Sequence, residues 1–233
     1  MRIRLALVPI IAAAALVAGC TQGATPTPPA AGNGVAALSA EEILTKAQGA
    51  LAEAGSFQAK GTMKQDGEDI TIDMVVNGDD TKSTILASGQ TIEAVMIGNE
   101  VYVKLPEMFL TIIAAGNPAA AALAKDKFLK LSADDPRLDS FSGFANLKDE
   151  LVGADAGAAG ATKGEAKTIN GTPAIGVKVS GGTLYVATEG KPYPLRLEPE
   201  DGTGGVDFSN FGSAPAVQAP PADQVLDIAT LMP

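Results

Sequence analysis

Ile70-Thr71-Ile72-Asp73-Met74-Val75-Val76-Asn77-Gly78-Asp79 is the stretch that sets the architecture of this 233-residue chain. Ile70, Ile72, Met74 and Val76 fall on one side of an extended backbone, and Thr71, Asp73 and Val75 on the other. That period of two marks a strand with one buried face. Asn77-Gly78-Asp79 then supplies the positive φ that a tight hairpin needs. The same grammar continues in both directions. Turn signals at Asp66-Gly67, Ser88-Gly89 and Gly98-Asn99 divide residues 57–105 into five strands, the first half of an antiparallel meander.

Upstream, Ser39 followed three residues later by Glu42 is a capping box, and Ile43, Leu44, Ala47, Ala50 and Leu51 recur at helical spacing until Gly55. Downstream, residues 106–131 are too apolar for a single stripe. Met108, Phe109, Ile112, Ile113, Leu123, Phe128 and Leu129 predict two short helices across a break at Gly116-Asn117-Pro118. A third helix is expected over 136–152, carrying Leu138, Phe141, Phe144, Leu147 and Leu151. After an Ala/Gly loop at 153–164, strands resume at 165–169, 174–179, 184–187, 195–198 and 206–208. Their turns fall at Asn170-Gly171, Gly181-Gly182 and Asp201-Gly202. Residues 211–233 read as an ordered but irregular ending. The expected class is α+β, an antiparallel sheet with helices set against it.

The N-terminus specifies a location. Arg2 and Arg4 precede an apolar run, Leu5 to Leu16, too short for a permanent membrane helix. Leu16-Val17-Ala18-Gly19-Cys20 then places the only cysteine of the chain after small residues. This resembles a bacterial lipobox, which implies cleavage after Gly19 and acylation of Cys20. Residues 1–19 are expected to be a signal peptide, 20–38 a lipidated, uncharged Pro/Ala-rich tether, and 39–233 one domain. The expected location is the extracytoplasmic face of the cell membrane. A single acyl chain holds only reversibly, whereas the two or more expected on a lipobox cysteine anchor stably.

Composition narrows the function. The formal charge is −10, which argues against nucleic acid and against a basic membrane patch. No His or Trp is present, so Ser-His-Asp and Cys-His catalysis are excluded along with the commonest zinc ligand. Asp134-Asp135 before Pro136 reads as a helix-initiating turn rather than an acid pair, and Glu198 and Glu200 flank Pro199 on a strand expected to face solvent. No loop has EF-hand spacing. No enzyme, no cofactor and no metal site is expected.

The order of these parts resembles the actinobacterial LppX/LprG-type lipoproteins. The matching features are the lipobox at Cys20, the helix over 41–54 followed by Ser56-Phe57, and Asn170-Gly171 within residues 168–172. Leu184-Tyr185-Val186, Pro194-Leu195-Arg196, and the tail Val206-Asp207-Phe208-Ser209 with Ala219-Pro220-Pro221 complete the set. The resemblance covers nearly the whole mature chain. It implies a strongly curved half-barrel covered by helices, LolA-like in shape, with an apolar cavity for acyl chains of lipids or lipoglycans.

Without the family, the apolar insert has two readings. It can close directly on the sheet as core, which is the plainer reading, or leave a ligand cavity. Met63, Met74, Met96 and Met108 beside many Ala and Gly residues favour adaptable packing around a ligand. Strand parity and helical spacing give the lining as Met63, Ile70, Ile72, Met74, Val101, Val103, Phe109, Ile112, Ile113, Phe128, Phe141 and Phe144. The expected function is binding of acyl chains for transport or shielding, with a membrane transporter as a further partner. The rival is a surface interaction protein with a closed core that docks a membrane enzyme or transporter. Cys20→Ala is expected to abolish incorporation of labelled lipid; label that persists in that variant would refute the lipobox reading.

Overall fold

A computed structural model of the chain describes residues 32–65, 67–114, 116–133, 135 and 160–230. The signal peptide, Cys20, most of the tether, Asp134 and the helix expected over 136–152 lie outside the described residues.

The capping box forms as the sequence requires. The Ser39 amide donates to Glu42 Oε2 at 2.9 Å and the Glu42 amide to Ser39 Oγ at 3.3 Å, which starts helix α1, Ala40–Ala54. Gly55 ends it at φ 67°, its N–H bonded to the Leu51 carbonyl at 3.2 Å. The five expected strands follow: β1 Ser56–Gln65, β2 Glu68–Asn77, β3 Asp80–Ala87, β4 Gln90–Ile97 and β5 Glu100–Lys104. The β3–β4 turn takes positive φ at both Ser88 (50°) and Gly89 (73°), the geometry that matches the twist of the flanking strands.

Within residues 106–131 the helical part is shorter than expected. Helix α2, Glu107–Ile113, and helix α3, Pro118–Ala124, meet at the predicted break. There the Asn117 side chain accepts from the Ala119 and Ala120 amides at 3.1 and 3.3 Å, and Pro118 takes the first helical position, where its missing N–H costs nothing. Phe128–Ser132 is not helix but strand β6, paired antiparallel with β5. Strands β7 Thr162–Ile169, β8 Thr172–Val179, β9 Gly182–Ala187, β10 Pro194–Pro199 and β11 Gly204–Ser209 form the second meander. The ending holds one more strand, β12 Val225–Asp227, parallel to β6.

Among the described residues the twelve strands make one open sheet in the order β12-β6-β5-β4-β3-β2-β1-β11-β10-β9-β8-β7, not closed into a barrel. Each meander is antiparallel, and the two are joined where β1 pairs with β11, from Gln58↔Ser209 to Met63↔Gly204. Among the described residues α1, α2 and α3 lie on one face, here the inner face. Ile43, Leu44 and Ala47 of α1 bury against Ile175, Val177 and Val186, and Leu51 against Phe57, Ala59, Met74 and Phe208. Leu110, Ala114, Ala120, Ala121 and Ala124 of α2 and α3 bury against Val101, Val103, Leu129 and Leu131.

Residues 32–38, read from sequence as the end of the tether, belong to the fold. Val35 is buried beside α1, and the Asn33 side-chain amide donates to the Ala187 and Gly190 carbonyls at 3.0 and 3.2 Å.

Two glycines test the backbone packing in opposite senses. A Cβ at Gly61 would lie 1.9 Å from the Gly205 carbonyl oxygen, whereas one at exposed Gly49, inside α1, meets nothing within 4 Å. Gly61→Ala is expected to destabilise by about 1–3 kcal/mol through forced separation of β1 and β11. Gly49→Ala should stabilise by roughly 0.5–1 kcal/mol through helix propensity. Urea denaturation of both variants measures the difference.

Candidate functional site

Strand register places the residues of the inner face in rows. Ala59, Met74, Ser83, Ala94, Val103 and Leu129 follow one another across β1 to β6, and Met63, Ile70, Ala87 and Gln90 form a lower row. One end of the strands carries the turns at Gly78-Asp79, Gly98-Asn99 and Asn170-Gly171 and the segment 188–193. The other carries the turns at Gly67, Ser88-Gly89, Gly181 and 200–203, together with the base of the α2–α3 hairpin.

Burial changes along this axis. Phe57, Ala59, Met74 and Val76, beneath α1, are buried, whereas Met63, Ile70 and Ala87, nearer the hairpin end, are half-buried. Leu184 and Leu197 share that partial exposure and pack beside Met63 and Ile70. Under α1 the inner face is thus shut toward the Gly78 end and half-exposed at Met63 and Ile70, whereas across β3 and β4 the order reverses, with Ile85 and Ile92 buried and Thr81 and Met96 half-buried.

The expected lining residues separate accordingly. Met63 and Ile70 lie in the accessible row. Ile72 and Met74 are 4% and 0% exposed in the cluster under α1, and Val101 and Val103 are 4% and 6% exposed in the cluster under α2 and α3. The two clusters are distinct, and small Ser83 and Ala94 lie between them in the row that joins Met74 to Val103. Phe109 is half-buried against the α2–α3 cluster. Ile112 and Ile113 belong to α2, but their side chains, like Phe141 and Phe144 entirely, lie outside the described residues.

Phe128 requires correction. As the first residue of β6 it points away from Leu129 and packs with Val95 and Tyr102 on the outer face, covered by Val217 and Val225 of the C-terminal segment. Sequence reasoning missed Leu129, Leu131, Leu184 and Leu197 as inner-face residues. Alternation in Phe128-Leu129-Lys130-Leu131 was the available signal for the first two, and the Leu184/Leu197 pairing across β9 and β10 for the others.

A polar cleft of about 430 Å³, bordered by Asn99, Glu100, Lys130, Ser132, Asp227 and Ile228, opens at the Gly98-Asn99 end of the strands, remote from Met63 and Ile70. Glu100 there accepts from the Tyr102 hydroxyl at 2.5 Å and pairs with Lys130. The hydrogen bond from Lys130, then that from Tyr102, holds its carboxyl below the usual range. Among the described residues no group of three or more His, Cys, Asp or Glu is placed to hold a metal, and no helix is long and apolar enough to cross a membrane.

The outer face is a charge ladder. Lys167 Nζ contacts Glu198 Oε1 at 2.6 Å, Arg196 Nε the same oxygen at 3.1 Å, and Arg196 Nη1 reaches Asp207 Oδ2 at 2.8 Å. Lys60 and Gln58 donate to Asp73 at 2.8 Å each. Glu198, one of the two carboxylates weighed above, is therefore engaged in cross-strand pairing.

No family model matches the chain, and no curated protein is matched. Among solved structures it is similar to an uncharacterized conserved protein from Thermus thermophilus, at 14% identity and TM-score 0.40, covering 81% of this chain and 98% of that one. It is also similar to MucB, solved in complex with MucA(peri), at 16% identity and TM-score 0.38, covering 80% of this chain. This chain spans 61% of the length of MucB.

The ladder makes a pH prediction. The hydrogen bond from Lys167 lowers the Glu198 carboxyl pKa, burial opposing and Arg196 assisting. At Asp73 burial pushes the pKa up, but the hydrogen bonds from Lys60 and Gln58 outweigh it and the net shift is down. Both groups bind protons more weakly folded than unfolded, so their stabilisation is complete above the unfolded carboxylate range of about 4 and is lost as pH falls through the lower folded values. Urea midpoints should stay level from neutral pH to roughly 5 and then fall. Glu198→Gln should flatten part of that fall.

Proposed function

We propose that the domain binds the acyl chains of a lipid or lipoglycan against its inner face and shields or carries them outside the cell membrane, to which Cys20 anchors it. The observation that carries this reading is the gradient of burial. An apolar surface held under helices at one end continues, through Met63, Ile70, Leu184 and Leu197, into an accessible apolar edge at the other. Between the two packed clusters the row narrows to the small side chains of buried Ser83 and half-buried Ala94, where the proposed ligand would have to open its place.

The LppX/LprG resemblance supports the same reading. Acyl chains would be held by desolvation alone, each buried methylene contributing about 0.8 kcal/mol. The inner face places no charged pair among the rows named above, consistent with a ligand held by its hydrocarbon rather than its headgroup. We assign the protein no catalytic activity.

The second reading, a closed core that docks a membrane enzyme or transporter, draws on the tight burial of Ile72, Met74, Val101 and Val103. Overpacking separates the two. In a chain beginning at Thr21, made in a lipid-rich host, native mass spectrometry should find bound lipid. Met63→Trp and Ile70→Trp, in the accessible row, should displace it with little change in melting temperature. Ile72→Trp, in the shut cluster, should cost typically 1–3 kcal/mol. Lipid-free wild type would sink the carrier reading and favour the docking one.

A further inference from the structure

The chain contains three Asn-Gly pairs, Asn33-Gly34, Asn77-Gly78 and Asn170-Gly171. A glycine after asparagine leaves its backbone nitrogen unshielded by a side chain, so each pair is capable of the same intramolecular reaction. The glycine nitrogen attacks Cγ of the asparagine side chain and displaces ammonia. Whether this happens in the folded protein depends on how firmly the amide and that nitrogen are held, and the fold treats the three pairs differently.

Asn33 is fixed through both ends of its side-chain amide. Its Nδ2 donates to the Ala187 and Gly190 carbonyls at 3.0 and 3.2 Å, and its Oδ1 accepts from the Val35 amide at 3.1 Å. Asn77 donates to the Ala214 carbonyl at 3.2 Å, and the nitrogen that would attack it is engaged, since the Gly78 N–H donates to the Gly55 carbonyl at 2.7 Å. Both asparagines are half-buried.

Asn170 and Gly171 are exposed. They form the two-residue turn between β7 and β8, closed by the Ile169↔Thr172 pair, with φ of 48° and 85°. Among the described residues the Gly171 N–H donates to no carbonyl. The Asn170 side chain makes one hydrogen bond, Nδ2 to Asp207 Oδ1 at 3.4 Å, long for such a bond. β7 is an edge strand, paired on one side only, and its register with β8 breaks between Lys163 and Ala166. A left-handed turn holds the glycine nitrogen away from Cγ, so the reaction needs a local opening. An exposed hairpin tip on a sheet edge is where such openings cost least.

We propose that Asn170-Gly171 is a site of spontaneous deamidation, the pair that folding leaves reactive while it protects the other two, and that the product loosens the charge ladder at Asp207. This does not depend on what the inner face binds. In the step, the Gly171 nitrogen gives its proton to hydroxide and forms a bond to Asn170 Cγ. The Cγ–Nδ2 bond breaks, and ammonia leaves with a proton taken from water, which regenerates hydroxide. Water then opens the five-membered imide at either carbonyl, leaving aspartate or, with the main chain rerouted through the side chain, isoaspartate. The sum is one water consumed and one ammonia released, with no change of oxidation state. Aspartate here puts a carboxylate beside Asp207 in place of a donor. Arg196, which pairs with Asp207 and donates to the Gly204 carbonyl, then holds a ladder with an added negative charge against it.

The test incubates the purified full chain in mildly alkaline buffer at physiological temperature. Peptide mass spectrometry follows the amide-to-acid mass gain at each Asn-Gly pair. Asn170 should convert several-fold faster than Asn33 or Asn77 in the folded protein, and in concentrated urea the three rates should draw together. Conversion led by Asn33 or Asn77, equal rates at all three in the folded state, or none at Asn170 would overturn the proposal. So would a lead of Asn170 that urea leaves intact, because the fold would then not be its cause. Asn170→Gly keeps a residue that suits the turn and should abolish the fast conversion; a fast phase that persists there would place it elsewhere and refute the assignment. For the product, Asn170→Asp should melt below wild type at low salt and recover most of the difference at high salt, since the added repulsion is between exposed charges. A melting temperature unchanged at low salt would refute the link to Asp207.

Discussion

The pairing of β1 with β11 is the constraint on which the rest of the sheet depends. Each meander is built from neighbours in sequence, but neither alone brings α1 over a continuous apolar surface. β1 and β11 are separated by more than half the chain, and their six register pairs convert two small sheets into one. The approach is close enough that Gly61, Gly204 and Gly205 are needed where the backbones meet. A Cβ at Gly204 would come within 2.0 Å of the Thr62 carbonyl oxygen. Arg196 reinforces the junction, donating to the Gly204 carbonyl at 2.8 Å while it pairs with Asp207. Contacts so distant in sequence carry a large loop-closure cost and are formed slowly, so the helix that spans the junction contributes to holding it. Leu51 touches both partners' cluster through Phe57 and Phe208.

The two faces of the sheet divide the physical work. On the outer face, cross-strand charge pairs support register, because a one-residue slip would carry Lys60 from opposite Asp73 to opposite Ile72 or Met74. Such exposed pairs contribute little stability individually, and their value here is in specifying alignment. On the inner face, stability comes from burial beneath the helices. The C-terminal segment links the faces. Val217 and Val225 cover Phe128 outside, β12 lies along the edge of β6, and Ile228 packs inside with Leu129 and Leu131. The exposed edge of β6 is thereby blunted.

Much of this was legible in the chain because local signals and tertiary structure agree. The capping box at Ser39, the alternation through Ile70 to Val76, and the turn pairs at Ser88-Gly89 and Asn170-Gly171 each specify one conformation and obtain it. The misreadings share a cause. Phe128 to Leu131 follows a helical apolar run, and four apolar-rich residues fit either period. Only pairing with β5 decides, and that contact is nonlocal. Val225–Asp227 is too short to announce itself as a strand and exists because β6 offers an edge. Val35 was hidden in a Gly/Ala-rich stretch whose composition resembles the tether before it. The face assignments by parity placed Met63, Ile70, Ile72, Met74, Val101 and Val103 together on the inner side, but parity cannot say how deeply a helix covers each one.

Depth is where the accessible row becomes informative. At the same height on the outer face the chain carries Thr62, Thr71, Lys64 and Asp69, the residues expected of a strand end facing water. Across the backbone from them, at equal distance from the turns, it carries Met63 and Ile70, with Leu184 and Leu197 nearby. Leaving such side chains partly in water forfeits about 25 cal/mol for every Å² not buried. Threonine would satisfy strand geometry there at no such loss, as the outer face demonstrates. Alternation alone therefore does not require large apolar groups at the open end. Here they pack at the edge of the cluster under α1, and in the proposed function a hydrocarbon partner would complete their burial. Methionine suits that partner better than a branched residue, since its unbranched thioether can follow chains that do not sit in a single pose.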